Sequence, residues 1–387
     1  MLKNKFAIIL FFVFVFAPPA YSIEEPLIIQ SIRPLGLGGA FLALSDDQYA
    51  LLYNPAGITQ RTSALIALQT NASIPHDLAG YALDAYTGDP TSLTVESLFD
   101  YFTNNFINKT SLFYAAPLNL TLIAPPMGYF NVGLGIYTGV TRAKTFIDSN
   151  IIPTMTLDIN MDSAVIVPLA YDMGETMTVG LSLKGINRNK LSESKSLLEL
   201  VTETGEVSLG PLNDALAGLG FGVDAGLLYH LNTQFTFGAT FQDIYTKIYY
   251  SNYIHPGYPY TTTDITPAIV EIIPFRINLG ISYAFNNEEL PMGDNMLLVF
   301  QYDDLMGSLE EYNPGLAFRW KNIHAGLELA WDFAALRIGL NQGYPTIGVG
   351  IHLSIFSIDY AYYGEEYGIL PGSKPVYNSL LSLTLGN

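Results

Sequence analysis

From Ile273 to Phe285 every odd position is a large apolar residue: Ile273, Phe275, Ile277, Leu279, Ile281, Tyr283 and Phe285. The even positions between them are Arg276, Asn278, Gly280, Ser282 and Ala284. A period of two is the signature of a β-strand with two unlike faces. The same alternation runs through 218–230, where Leu219, Phe221, Val223, Leu227 and Tyr229 interleave with Gly220, Gly222, Asp224 and Gly226, and through 325–333. Soluble sandwiches alternate too, so the period alone names no solvent.

Composition separates the two. The chain is 49% hydrophobic but only 13% charged, against about 25% charged in an average soluble domain. Beyond the N-terminus no apolar run approaches the roughly 20 residues of a spanning helix. A transmembrane barrel reconciles these facts by distributing lipid-facing residues over alternate positions of many strands, and the 26 Tyr and 22 Phe suit its aromatic girdles.

Lys3 and Lys5, the apolar run Phe6–Phe16 and the small residues Ala20 and Ser22 read as a secretory leader over 1–22, cleaved after Ser22. Its removal takes 17 basic residues to 15 and leaves all 35 acidic ones. That balance excludes a nucleic-acid partner. There is no cysteine, hence no disulfide framework and no thiolate metal site. No nucleophile elbow, carboxylate pair or metal-ligand cluster points to an enzyme, and no cofactor is expected.

Strands are expected near 63–71, 109–124, 128–141, 155–172, 175–188, 218–231, 233–247, 270–285, 294–304, 313–320, 322–332, 335–342, 345–363 and 376–386. That makes an all-β, antiparallel barrel of about 14 strands, with 12 as the alternative count. Connections after even strands are short and those after odd strands mostly long (72–108, 189–217, 248–269), which puts both termini in the periplasm. Within 345–363 the apolar phase slips by one at Phe356, which reads as a β-bulge.

Before the barrel of 63–387 lies a segment, 23–62, unlike any strand. Ser45 and Gln48 suggest a capping box for a short helix, with Asp46 and Asp47 in its first turn. Asn54-Pro55-Ala56-Gly57 ends that helix. Gly36-Leu37-Gly38-Gly39 lacks the strand–loop–helix context of a phosphate loop and is read as close packing inside a crowded lumen.

The Gly-Gly-Ala, Asp-Asp and Asn-Pro-Ala-Gly pattern of this segment resembles the N-terminal region of the FadL-type outer-membrane transporters of hydrophobic compounds. Residues 336–345 and 358–362 look like the PorV-like branch of that superfamily. The resemblance implies an N-terminal hatch formed by Gly38, Gly39, Asn54, Pro55, Ala56 and Gly57 inside the barrel. It also implies passive uptake of hydrophobic small molecules, with long-chain fatty acids as the expected substrate, by a chain able to act as a monomer in outer-membrane lipid. The alternative is a PorV-like barrel that docks or shuttles secreted proteins, and a general porin is third. The C-terminus, Leu383-Thr384-Leu385-Gly386-Asn387, departs from the barrel pattern by lacking a terminal aromatic.

Alternation points Lys184, Arg188, Arg276, Arg319 and Arg337 into the lumen, together with Asp158, Asp162, Asp224, Glu328, Asp332 and Asp359. These cations either brace the plug through ion pairs or receive a substrate carboxylate. Leu98, Phe99, Phe102 and Phe106 fall at helical spacing in the first long loop and suit an outer hydrophobic groove. Ser192–Thr204 is a second candidate loop helix.

Overall fold

The computed structural model describes residues 27–75, 109–148, 154–174, 176–196, 199, 214–255, 258–285, 295–305, 320–367, 372 and 374–386. The expected leader, the loop residues Leu98, Phe99, Phe102 and Phe106, and Arg319 lie outside them.

Fifteen strands form one antiparallel sheet: β1 (Leu65–Pro75), β2 (Thr110–Ile123), β3 (Phe130–Ile147), β4 (Thr154–Asp172), β5 (Met177–Ser196), β6 (Ala215–His230), β7 (Phe235–His255), β8 (Tyr258–Ile272), β9 (Arg276–Ala284), β10 (Asn295–Tyr302), β11 (Ile323–Ala330), β12 (Ala334–Asn341), β13 (Tyr344–Leu353), β14 (Phe356–Glu366) and β15 (Pro375–Gly386). Each neighbour in sequence pairs with the next except β8 with β9, and β1 pairs with β15 from Ala67↔Gly386 to Pro75↔Asn378, which closes the ring. The long β7 bonds to β9 through its first half and to β8 through its second. The wall is thus a closed barrel of 14 strands, in which β8 and β9 share one place.

The wall corrects several expected boundaries. Residues 248–255 and 258–269 are strand rather than loop. β10 pairs directly with β11; of the strand expected at 313–320, residues 313–319 lie outside the described set, and Trp320 opens a 3-10 turn rather than a strand. The phase slip within 345–363 is a hairpin, with Ser354 in the left-handed region at φ 48° and β13 and β14 paired through Leu353↔Phe356. Ser192–Ser196 continues β5 instead of starting a helix.

Alternation is literal in the wall. In β1 the inward positions are Leu65, Ala67, Gln69, Asn71 and Ser73, whereas Ile66 is 61% exposed on the outside, with Leu68 and Ile74. A bare apolar exterior around a polar interior is stable only if lipid covers it. Aromatic clusters band both heights of this surface: Tyr129, Phe130 and Tyr171 with Phe235, Tyr283 and Phe285 at the end of the tight turns, and Phe221 with Tyr245 farther up. β7 bulges by two residues against β6 between Phe241 and Tyr245, so Phe235 and Tyr245 stand about eight strand steps apart, roughly 26 Å, or about 20 Å once the strand tilts by about 40°.

Residues 27–61 thread through the ring. They contain α1 (Ile32–Gly36), α2 (Ala50–Tyr53) and a 3-10 helix, Pro55–Gln60. The Ser45 capping box does not form. Ser45 sits at φ 37° with its hydroxyl donating to the Phe41 and Leu42 carbonyls, and α2 starts five residues later. Asp47 makes the local turn instead, accepting from Tyr49 N at 2.8 Å. The helix stop is where expected: Asn54 is extended (φ −153°, ψ 107°), and its Oδ1 accepts from Ala56 N at 3.1 Å to cap the 3-10 helix. Asx side chains favour this role because they satisfy otherwise unpaired helix N–H groups.

Candidate functional site

Wall and inserted segment meet through small residues. Gly38 is left-handed (φ 68°), and a Cβ on it would lie 2.4 Å from the Ala325 carbonyl oxygen and 2.5 Å from that of Leu340. Gly39 (φ 86°) is as crowded by the His324 ring. Gly226 of β6 leaves room for Asn54: a Cβ there would stand 2.0 Å from Asn54 Oδ1. Pro55 and Ala56 press against Gly180 of β5, and Gly57 against Ser45. Asn54 Nδ2 donates to the Leu42 carbonyl within the segment and to the Leu227 carbonyl of the wall, both at 3.1 Å.

Wall residues with no role legible in the sequence hold the inserted backbone. Gln301 Oε1 accepts from Phe41 N and Leu42 N, each at 2.9 Å. Thr346 Oγ1 donates to Gly36 O at 3.1 Å. His324 Nδ1 lies 2.8 Å from Gly38 O; the carbonyl can only accept, so the ring nitrogen donates. Gln69 reaches the Tyr49 hydroxyl, and the Tyr114 and Tyr363 hydroxyls contact Gln30. Alternation marks such residues as inward, but not what they touch.

The inward charges form three clusters. In the first, Arg33 of α1 donates from Nη2 and Nε to the two oxygens of Glu328 (2.7 and 2.9 Å) and from Nη1 to Asp46 and Asp47 (2.6 and 2.8 Å). Arg337 binds Glu328 (2.7 Å) and Asp359 (2.8 Å) from the wall side. Burial opposes the Arg33 charge, but Asp46, Glu328 and Asp47 more than offset it and hold the guanidinium well above its usual range. Burial pushes the Asp47 carboxyl up to about 6; Arg33 pulls it down and Asp46 adds to the rise. Tyr49 and Tyr53 are likewise raised, first by burial and then by nearby carboxylates.

In the second cluster Arg188 lies between Asp162 (2.7 Å) and Glu271 (3.1 Å), and Lys190 also reaches Glu271 at 2.6 Å. Ile28 N donates to Asp162 at 3.3 Å, tying the start of the inserted segment to this pair. In the third, Lys184 binds Asp224 (2.7 Å) and Asp243 (2.6 Å), and Arg276 Nη2 binds Asp243 at 2.9 Å. Asp158 accepts from the Ser192 hydroxyl at 2.6 Å. Asp332 is not inward: it is exposed in the tight turn between β11 and β12.

Among the described residues two cavities lie against the inserted segment. The upper, about 190 Å³, is lined by apolar Leu27, Ile29, Leu42, Leu51, Leu52 and Ile166 and by the Lys184–Arg276 cluster. The lower, about 480 Å³, opens among Arg33, Asp47, Arg337, His352, Ser354 and Phe356 at the end of the tight turns. The stretch from Leu42 to Tyr53 stands between them, with Leu42, Leu51, Leu52 and Tyr53 on the upper cavity and Asp47, Gln48 and Tyr49 on the lower. Among the described residues no group of three or more His, Asp or Glu side chains is placed to hold a metal.

No family model and no curated protein matches the chain in sequence. Among solved structures, the toluene transporter TbuX of Ralstonia pickettii aligns at 14% identity with a TM-score of 0.52, over 91% of this chain and 96% of that one. The toluene transporter TodX of Pseudomonas putida aligns at 11% identity and 0.51, over 95% and 99%. A Pseudomonas aeruginosa FadL homologue aligns at 13% identity and 0.49, over 96% and 99%. The first two likenesses are of fold, and they span nearly the whole of each chain.

Proposed function

We propose that this FadL-type barrel sits in a bacterial outer membrane and lets hydrophobic small molecules in passively, with residues 27–60 as its hatch and residues 1–22 as the leader that exports it. The observation that carries the reading is the partition at Leu42–Tyr53. One short segment separates the two lumen cavities, so a shift of that segment joins them. The lipid-facing exterior supplies the location, and the long loops at the upper end face outward by the usual asymmetry of such barrels. A second exit is the wall itself: at Gly139 (φ 59°) the register of β3 with β4 shifts, and its pairing with β2 lapses between Ala115↔Thr141 and Leu118↔Thr138, beside Pro117. Bulges of this kind locally disrupt the strand ladder. Long-chain fatty acids, the substrate implied by the family resemblance, need both space for the chain and a cation for the carboxylate. In this lumen Arg33, Lys184, Arg188, Arg276 and Arg337 already hold carboxylates.

The partition is testable because the chain contains no cysteine. A Cβ built on Gly280 lies 3.4 Å from Ala43 Cβ, close to the separation of a disulfide. The double variant Ala43→Cys/Gly280→Cys locks the hatch to β9 when oxidised. Cells dependent on this chain should lose uptake of labelled toluene under oxidation and regain it with reductant. Equal uptake in both states, beside a control lacking the barrel, removes the hatch from the pathway.

A further inference from the structure

The upper cavity carries more information about its ligand than apolarity. Five charged side chains line it among the described residues: Lys184 and Arg276 against Asp224, Asp243 and Asp303. Acids outnumber bases by one. Lys184 is already shared between Asp224 and Asp243. Arg276 is held on one side only, by Nη2 on Asp243, and its side chain keeps 25% of its surface accessible beside the cavity. A guanidinium carries five N–H donors, so this accessible part can donate to an acceptor brought into the cavity. The opposite wall, Leu27, Ile29, Leu42, Leu51, Leu52 and Ile166, offers nothing polar from its side chains.

Volume narrows the ligand further. An apolar cavity of about 150 Å³ is enough to bind benzene, and this one measures about 190 Å³. It has room for a molecule of one ring or similar bulk. From these observations we infer that the upper cavity selects a small, uncharged molecule carrying one hydrogen-bond acceptor, which takes the free edge of Arg276 while its apolar body lies on Leu42, Leu51 and Leu52. A carboxylate is excluded because it would be a fourth anion beside two cations that are already engaged. A plain hydrocarbon fits but leaves the Arg276 donor unpaired. This inference rests on the uptake reading above and refines the substrate of that same site.

Three ring-sized probes of similar bulk separate the possibilities: toluene, acetophenone and benzoate, measured by equilibrium dialysis on the full-length barrel in detergent micelles, with protein-free micelles subtracted. Acetophenone is expected to bind about tenfold tighter than toluene, the order of one net hydrogen bond to a charged donor, and benzoate weakest of the three. Arg276→Leu should abolish the preference for acetophenone over toluene. Asp303→Asn, which removes one acid without touching the Lys184 or Arg276 ion pairs, should strengthen benzoate binding severalfold. Benzoate binding as well as acetophenone, or an acetophenone preference that survives Arg276→Leu, overturns the inference. If toluene binds and is taken up but all three probes bind alike, only this refinement fails. If no probe binds and uptake is absent, the transport reading fails and takes the refinement with it.

Discussion

Arg33 and Glu328 are joined by two parallel hydrogen bonds of 2.7 and 2.9 Å, and this fork ties the inserted segment, the proposed hatch, to the barrel wall. Guanidinium and carboxylate planes suit such bidentate pairing. Removing one partner of a buried pair costs about 3–5 kcal/mol, because the other charges stay behind uncompensated. Arg33→Met leaves Asp46, Asp47 and Glu328 facing one another with only Arg337 nearby. The hatch of this variant should detach, and planar-bilayer recordings should show steady ion conductance that the wild type lacks. Arg33→Lys keeps the charge without the fork and should fall between them. A silent Arg33→Met barrel assigns hatch closure to packing alone.

Asp47 makes hatch docking depend on pH. Its carboxyl is pushed up to about 6 in the docked hatch, first by burial, whereas a solvated Asp titrates near ~3.9. The docked state therefore binds more protons between these values, and stability falls as pH rises through that window. Docking should be tightest at pH 4, weaken up to pH 6–7 by as much as about 3 kcal/mol, and level off above. Hydrogen exchange at 46–53 reads this directly. Asp47→Asn should remove the slope; an unchanged slope assigns the dependence to another group.

Asn54 holds the hatch turn by three hydrogen bonds, to Leu42 O, Leu227 O and Ala56 N. Asn54→Ala leaves those backbone groups unpaired at about 1–3 kcal/mol for each that stays dry. Gly226→Val attacks the same contact from the wall, since any Cβ there overlaps Asn54 Oδ1. Both variants should keep the barrel, seen as an unchanged heat-modifiable shift on gels, yet expose the 42–60 segment to protease. Resistance equal to wild type in both would show that the turn is held from elsewhere.

The face of most wall residues was legible because lipid on one side and polar lumen on the other impose a strict period of two. Leu219 and Phe221 point out and Asp224 points in, as their spacing says. Legibility ended where that contrast ends. Thr263 and Asp264 of β8 are both exposed, so the upper half of this strand lacks an apolar stripe and reads as loop. The turn at Ser354–Ile355 contains neither Gly nor Pro, and its hairpin resembles a bulge. Charge partners were beyond reach for a different reason: Arg188 meets Glu271 across 83 residues, a neighbourhood created by ring closure and strand register. In the hatch, the Asn54-Pro55-Ala56 turn was readable, whereas Ser45 was taken for a cap because its offset from Gln48 imitates one.

The apolar exterior makes a last prediction that needs no ligand. Leu219 is 66% exposed on the outer face of β6, near the level of the Phe221–Tyr245 aromatic pair. On a water-facing surface a Leu→Arg change at so open a site would fall within about ±0.5 kcal/mol. In hydrocarbon the cost of Arg rises from about 0–1 kcal/mol near the interface to about 2–4 kcal/mol at the midplane. Leu279→Arg, two pairs above Ile281↔Phe237 and deeper in the band, should therefore be the more destabilising of the two. Guanidinium unfolding in lipid vesicles should rank wild type above Leu219→Arg and Leu219→Arg above Leu279→Arg. Equal midpoints for all three would mean that water, not lipid, covers this wall.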